Sequence, residues 1–393
     1  MSNKSELPSK PPIWNDPKYR ALFFQVVLIA ALVYFFYSII SNTLGNMQAR
    51  GISTGFAFLS EKSGFDILMS LIPYDSGSTY GRTFVVGLLN TLLVSVVGIF
   101  IATILGFVMG VARLSKNWII AKIATVYVEV FRNIPLLIQL IFWYIVVLKA
   151  LPSPRESLSL ADSFFLNVRG VYLPAPVTDD GFVYTAIVFV LGLIGSFIVA
   201  RWAKQKQMKT GQATPVLLIS LLLLLVAPLL VFFVTGSPLT WDLPSLQGFN
   251  FKGGIEIIPE LFALLLALSI YTGAFIAEIV RSGIQAVSHG QSEAALSIGL
   301  TPAQSLKLIV VPQALRVIIP PLTSQYLNLV KNSSLAMTVA YPDIVAVFMG
   351  TTLNQTGQAV EIIAMTMGVY LAISLLISLF MNWYNAKMSL VER

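Results

Sequence analysis

Residues 293–312 read EAALSIGLTPAQSLKLIVVP, a polar stretch between two strongly hydrophobic ones. Its local chemistry specifies two short helices in an L-shape. Ser288 and Gln291 form an S-x-x-Q pattern that predicts a capping box opening the first helix, and Gly299 is placed to end it. Thr301, Pro302 and Gln304 repeat the device with an N-cap, a proline at the first helical position and a glutamine at the third. Pro312 predicts a bend or break before the chain turns apolar again. So polar a segment either rests on a lipid surface as an amphipathic loop or is gripped by a soluble partner.

The surroundings are those of a membrane protein. The chain has 393 residues, 56% hydrophobic and only 11% charged, with mean hydropathy +0.81, which implies a polytopic all-α bundle. With no cysteine there is no disulfide framework and no thiolate metal or iron–sulfur site. His289 is the single histidine, which excludes histidine-cluster metal sites and histidine relays; beside Gly290 in a polar loop it reads as solvated. The net charge of +7 comes from basic residues flanking hydrophobic runs, a membrane-orientation pattern that does not argue for nucleic acid. There is no G-x-x-x-x-G-K-[ST] loop and no nucleophile–base constellation, so no catalytic residue and no metal site are expected.

Runs near 20 apolar residues place spans at 21–44, 84–112, 120–150, 183–201, 215–236, 258–281, 314–331 and 361–386. Glu129, Arg132 and Pro135 interrupt the third, and Pro320 and Pro321 are expected to kink the seventh. Gly106 and Gly110 form a G-x-x-x-G suited to close helix packing. Eight spans put both termini on one side. Basic residues fall on that side: Lys4, Lys10, Lys18 and Arg20 before the first span, then Arg113, Lys116 and Lys122, then Arg201, Lys204, Lys206 and Lys209. The segment from Arg281 through Lys307 and Arg316 joins them, which makes the opening stretch cytoplasmic. No small-residue cleavage site follows the first apolar run, so the first span is expected to be retained.

The spacing Glu293-Ala294-Ala295, three residues, Gly299, nine residues, Ile309, one residue, Val311-Pro312 resembles the EAA loop of ABC importer permeases, with valine where leucine is usual. In that family the loop is the coupling helix that docks on the ATP-hydrolysing subunit, which implies this role for Glu293, Ala294, Ala295, Gly299, Ile309 and Pro312. Two further stretches resemble the polar amino acid branch. Tyr127-Val-Glu-Val-Phe-Arg132-Asn-Ile-Pro135-Leu-Leu-Ile-Gln139 is similar to the branch's E-x-F-R-G-T-P-L-L-V-Q, with Asn133 and Ile134 departing from it. Tyr271 through Arg281 and Lys331-Asn332-Ser333-Ser334-Leu335 also match. Short members lack what lies at 151–257 here, a long loop with two extra spans, and this long form resembles the general L-amino-acid permeases of the Aap/Bzt type, Q/B kind.

The resemblance implies a type I importer permease core. The layout would be a cytoplasmic tail at 1–20, an additional first span and periplasmic loop at 21–83, core at 84–150, the insertion at 151–257, and core again at 258–393 with the coupling loop at 284–312. It also implies the company this chain keeps in the bacterial inner membrane: a second, different permease, a dimer of ATP-binding subunits, a periplasmic amino-acid-binding protein and an L-amino acid substrate. ATP and magnesium would sit in the partner ATPase, with no cofactor on this chain.

Opposite charges three apart, Glu129–Arg132 and Glu278–Arg281, predict local pairs at helix ends. Asn90, Thr91, Gln139, Tyr271, Thr272, Gln325 and Asn328 lie deeper and are candidates for a polar substrate path, since amides and hydroxyls can meet both ends of a zwitterion. An ion-coupled secondary transporter is the alternative. It calls for acidic residues at mid-membrane and an inverted repeat, and neither is evident in this sequence.

Overall fold

A computed structural model describes residues 17–49, 51 and 54–388, so Lys4 and Lys10 of the expected tail lie outside the described residues. The helices are α1 (Pro17–Ala49), α2 (Tyr80–Ala112), α3 (Trp118–Asn133), α4 (Leu136–Ile141), α5 (Phe182–Thr210), α6 (Val216–Leu221), α7 (Ala227–Val234), α8 (Pro259–Gln285), α9 (His289–Ser297), α10 (Pro302–Ser305), α11 (Val311–Asn332), α12 (Leu353–Thr356) and α13 (Ala359–Met388). Among the described residues seven helices are long and apolar enough to cross a membrane, or eight if the bent pair at 118–148 counts as one. The helical bundle expected from composition is therefore present.

The chain forms two compact units. One comprises residues up to Asn90 with Pro342–Leu375; the other comprises Thr91–Tyr341 with the residues from Leu376 onward. In the first, Phe58, Tyr80, Ile344, Phe348 and Ile362 make an aromatic-rich core. The residues before α2 are tied to it by a bond from Gly55 N to Glu361 (2.6 Å), and Tyr80, the first residue of α2, donates to Gln355 (2.8 Å). Asp343 caps the turns that follow it, accepting from Ala346 N at 2.8 Å and from Tyr370 Oη at 3.3 Å.

In the second unit α8 is central. Pro259 opens it at the first helical position, with Glu260 in the first turn where a carboxylate suits the helix dipole. Ala263, Ala267, Gly273, Ala274, Ala277 and Gly283 are all buried on it, and residues this small let neighbouring helices approach closely. The G-x-x-x-G of α2 meets this helix: a Cβ at Gly106 would lie 2.5 Å from Ile276 Cβ, and one at Gly110 would lie 2.7 Å from the Ala277 carbonyl.

The third expected span is not straight. α3 and α4 are bent by 107° at Ile134–Pro135. Ile134 is extended (φ −95°, ψ 129°), as a residue before proline prefers, and Pro135 cannot donate back into α3. The seventh differs in the other direction. α11 runs through Pro320 and Pro321, and the helix is continuous from Pro302 to Val339, so Pro312 does not break it. Leu306–Val310 adopt π-helical turns just upstream, and this wider winding accommodates the hydrogen bond that Pro312 cannot make.

The inserted helices α5, α6 and α7 pack on one another, with Gly192 against the Leu223 carbonyl, and otherwise bury little. Short strands that hydropathy does not reveal cap their ends. β1 (Leu158–Leu160), β2 (Phe164–Asn167), β3 (Gly170–Leu173) and β8 (Ile255–Ile257) form an antiparallel sheet in the order β1-β2-β3-β8. β4 (Ala175–Thr178) pairs with β5 (Leu239–Asp242), and β6 (Ser245–Gln247) with β7 (Asn250–Lys252). Tyr172 stacks on Phe251 at 4.8 Å and donates to Glu256 at 2.9 Å. Burial raises the Tyr172 phenol pKa, and this carboxylate raises it further.

Candidate functional site: the coupling segment and its charge hub

Two helices and a glycine turn build the polar segment at 288–312. α9 ends at Ser297 with Ile298 as its C-cap, and Gly299 takes the left-handed conformation at φ +84°. Leu300 N donates to Ala295 O at 3.1 Å and Gly299 N to Leu296 O at 3.0 Å, the paired bonds of a Schellman motif. Thr301 then caps α10 as expected: its Oγ1 accepts from Gln304 N at 3.3 Å, and Gln304 Oε1 accepts from Thr301 N at 2.9 Å. The first capping box is absent. Ser288 is the N-cap residue of α9 but makes no side-chain cap bond, and Gln291 Oε1 accepts instead from Gln313 Nε2 at 3.3 Å. That bond ties α9 to the start of α11.

Within the motif the residues divide by exposure. Ala295 is buried (1% exposed), where only a small side chain lets α9 lie close to the following turns. Glu293 is exposed and its Oε1 lies 3.0 Å from His289 Nδ1, so the lone histidine faces a carboxylate. Ala294 and Gly299 are exposed, while Ile309 and Pro312 are half-buried. Around the turn Leu296, Ile298, Leu306 and Leu308 are 50%, 76%, 49% and 60% exposed, an apolar rim on an otherwise polar element.

Beside this segment lies a charge cluster wider than the local pairs read from sequence. Glu278, on the helix that leads into α9, bonds Arg281 at 2.5 Å as expected, and Arg113 at the end of α2 also donates to it. Arg132 stands 3.9 Å from Glu278 with its guanidinium 5.2 Å from the centroid of the Phe275 ring. Glu129 pairs with Arg113 at 3.8 Å; among the described residues no ion pair joins it to Arg132. One carboxylate thus gathers guanidinium groups from α3, α8 and the end of α2. Sequence spacing shows pairs within a helix and is blind to pairs between helices.

The deeper polar candidates are placed as follows. Asn90 is fully buried and its amide donates to Met69 O and Pro342 O, each at 2.8 Å. Thr91 is likewise buried. Gln139 is 4% exposed and donates to Phe131 O and Ile134 O, both at 2.9 Å, which satisfies the carbonyls freed at the α3–α4 bend; its Oε1 has no partner. Tyr271 packs on Phe275 with ring centroids 5.0 Å apart, Thr272 is buried, Gln325 is half-buried and Asn328 exposed. Among the described residues no hydrogen bond joins any two of Gln139, Tyr271, Thr272, Gln325 and Asn328. No group of histidine and acidic residues that could hold a metal ion is found among the described residues.

Residues 207–390 match the family described as binding-protein-dependent transport system inner membrane component. The chain is 54% identical over 378 residues to the putative amino-acid ABC transporter permease protein YhdX of Escherichia coli K12, covering 96% of both. It is also 54% identical over 378 residues to the general L-amino acid transport system permease protein AapQ of Rhizobium johnstonii, covering 96% of this chain and 94% of that one. With the glutamate/glutamine/aspartate/asparagine transport system permease protein BztB of Rhodobacter capsulatus it shares 40% identity over 408 residues and 96% of each chain. Likeness at this level along nearly the whole length sets aside the ion-coupled alternative. The chain belongs to the binding-protein-dependent transport system inner membrane components, and among them to the amino-acid ABC transporter permeases of the Aap type.

Proposed function

We propose that this chain forms half of the passage of an ATP-driven importer for L-amino acids and receives force through residues 293–312. The observation that carries the reading is the apolar rim of Leu296, Ile298, Leu306 and Leu308, held by α9, the capped α10 and the turns after it around a left-handed glycine. An element of this kind has both a rigid backbone and exposed greasy contacts, which suits docking in a groove on a soluble subunit. Glu293, Ala294, Ala295, Gly299, Ile309 and Pro312 set its shape. The ATP-binding subunits, as a dimer carrying ATP and magnesium, would grip this loop and its counterpart on a second permease. A periplasmic binding protein would deliver the amino acid from the other side. The permease then acts as a bistable element biased by the nucleotide state of its partner.

Basic residues flanking the spans support an inner-membrane orientation with both termini and the coupling segment in the cytoplasm. Along the passage, Asn90, Thr91, Gln139, Tyr271, Thr272, Gln325 and Asn328 remain the candidates. Gln139 has the clearest chemistry, since its unpartnered Oε1 can accept from an ammonium group. The test is recovery of the chain in mild detergent from its native membrane, together with transport. The reading predicts co-purification of an ATP-hydrolysing subunit and ATP-dependent uptake of labelled L-amino acids. Recovery of a stable chain with no such subunit, and uptake that persists without ATP, would overturn it.

A further inference from the structure

The segment before α2 does not stay at the helix's end. Tyr74 Oη donates to Phe65 O at 3.1 Å and lies 3.0 Å from Thr83 Oγ1, which sets Phe65 level with Thr83. Asn90 Nδ2 donates to Met69 O at 2.8 Å, and Arg82 Nε donates to Pro73 O at 2.6 Å. The chain therefore descends along α2 from Phe65 to Met69 and climbs back by Pro73. At 1.5 Å per helical residue the tip lies about 15 Å below Tyr80. Arg82 and Arg113 bracket about 46 Å of helix, close to the 40–45 Å between the outer headgroup boundaries of a bilayer. Centred there, the hydrocarbon ends near Gly87 and Leu88, so Met69 reaches its outer edge.

Along the descent burial alternates. Phe65, Ile67 and Met69 are half-buried, whereas Asp66, Leu68 and Ser70 are exposed, Leu68 by 71%. Among the described residues the peptide N–H groups of Phe65–Ile72 have no hydrogen-bond partner. At the tip, which reaches the hydrocarbon edge, irregular backbone is tolerated only where water or protein meets its polar groups; lipid cannot. A second chain laid over the segment would bury the Asp66 carboxylate, at a cost of several kcal/mol for a desolvated ion. Water is the surrounding that satisfies both the peptide groups and the carboxylate.

We propose that Asp66–Leu71 is a re-entrant lining of the outer mouth of the amino-acid passage, with Asp66, Leu68 and Ser70 facing its water. This rests on the importer reading above. The unpaired N–H groups can donate to a substrate carboxylate and Asp66 can accept from its ammonium, so the segment suits a zwitterion passing inward.

Because the chain has no cysteine, single cysteines report on it without background. Leu68→Cys and Ser70→Cys, in the whole transporter in intact cells, should react with a membrane-impermeant thiol reagent added outside. Ile67→Cys and Met69→Cys should react at least tenfold more slowly. Reaction at Leu68→Cys or Ser70→Cys should cut uptake of a labelled L-amino acid mixture at least fivefold. Adding Asn90→Ala should release the packed face and speed reaction at Met69→Cys. Equal reaction at all four positions would overturn the proposal, as would no reaction at Leu68→Cys and Ser70→Cys, or reaction without loss of uptake. If the cysteine-free parent takes up no amino acid, the importer reading falls, while the pattern of reaction still decides where the segment lies.

Discussion

Replacing Gly299 isolates the backbone of the coupling segment from its contacts. A Cβ built on Gly299 meets nothing within 4 Å, so no clash accompanies the change. The cost is conformational, because φ is +84°. Alanine there costs about 1–2 kcal/mol, and a β-branched valine about 2–3 kcal/mol. The chain can relieve this only by releasing the bonds from Gly299 N to Leu296 O and from Leu300 N to Ala295 O, which swings α9 away from α10. At 1.4 kcal/mol per tenfold, Gly299→Val lowers the population of the native turn by about 30- to 150-fold. Asparagine tolerates the left-handed region, so Gly299→Asn is the control. The assay is uptake and substrate-stimulated ATP hydrolysis by the assembled transporter, normalised to chain in the membrane. Valine should reduce both at least tenfold at normal membrane content, and asparagine by less than threefold. Equal behaviour of the two variants, either both active or both inactive, would refute the argument that turn geometry matters.

Thr301→Ala removes the observed capping box and should cost about 1 kcal/mol locally, read as a two- to fivefold loss of uptake. Glu278→Gln leaves the guanidinium groups of Arg113, Arg132 and Arg281 facing one another without their shared carboxylate. The cluster is part-exposed, so the loss should be about 1–3 kcal/mol, and a double-mutant cycle with Arg113→Gln in thermal unfolding should show coupling. Gly106→Leu drives a side chain into Ile276 and should lower the thermal midpoint of the purified protein, by about 1–3 kcal/mol in stability. For Asp343, burial pushes the carboxyl up from 3.8 to about 7, against the opposing pull of bonds from Ala346 N and Tyr370. The folded chain then holds a proton that the unfolded chain has already released. Stability from this group is greatest in acid, falls by about 4 kcal/mol as pH rises from about 4 to about 7, and is flat beyond. Asp343→Asn should remove that slope from thermal midpoints taken between about pH 5 and pH 8.

The membrane class, most spans and the coupling motif were legible because each rests on local pattern. A run of apolar residues, a Thr-Pro-x-Gln cap and a glycine at the right offset all act within a few residues. What was missed involves partners distant in sequence. Arg113 meets Glu278 across two helices, and no spacing rule links positions so far apart. Gln139 reads as a polar residue inside a span, but that both its amide hydrogens serve carbonyls opened by the Pro135 bend, leaving Oε1 unpartnered, follows only from the three-dimensional turn. Pro312 failed as a breaker because π-helical winding at Leu306–Val310 absorbs its missing donor, and a sequence carries no clear mark of such winding. The short strands between 158 and 257 went unseen because segments of three or four residues pair across the long insertion and carry little periodic signal.

Ala294 lies exposed at the centre of the claim that residues 293–312 receive force from an ATPase. Ala294→Cys in this cysteine-free chain, treated with a short thiol-to-amine crosslinker in native membranes, gives the most direct test. The account predicts one dominant adduct, with the ATP-binding subunit, whose yield changes when nucleotide is added. An adduct with lipid or with an unrelated membrane chain, or none while transport proceeds normally, would contradict it.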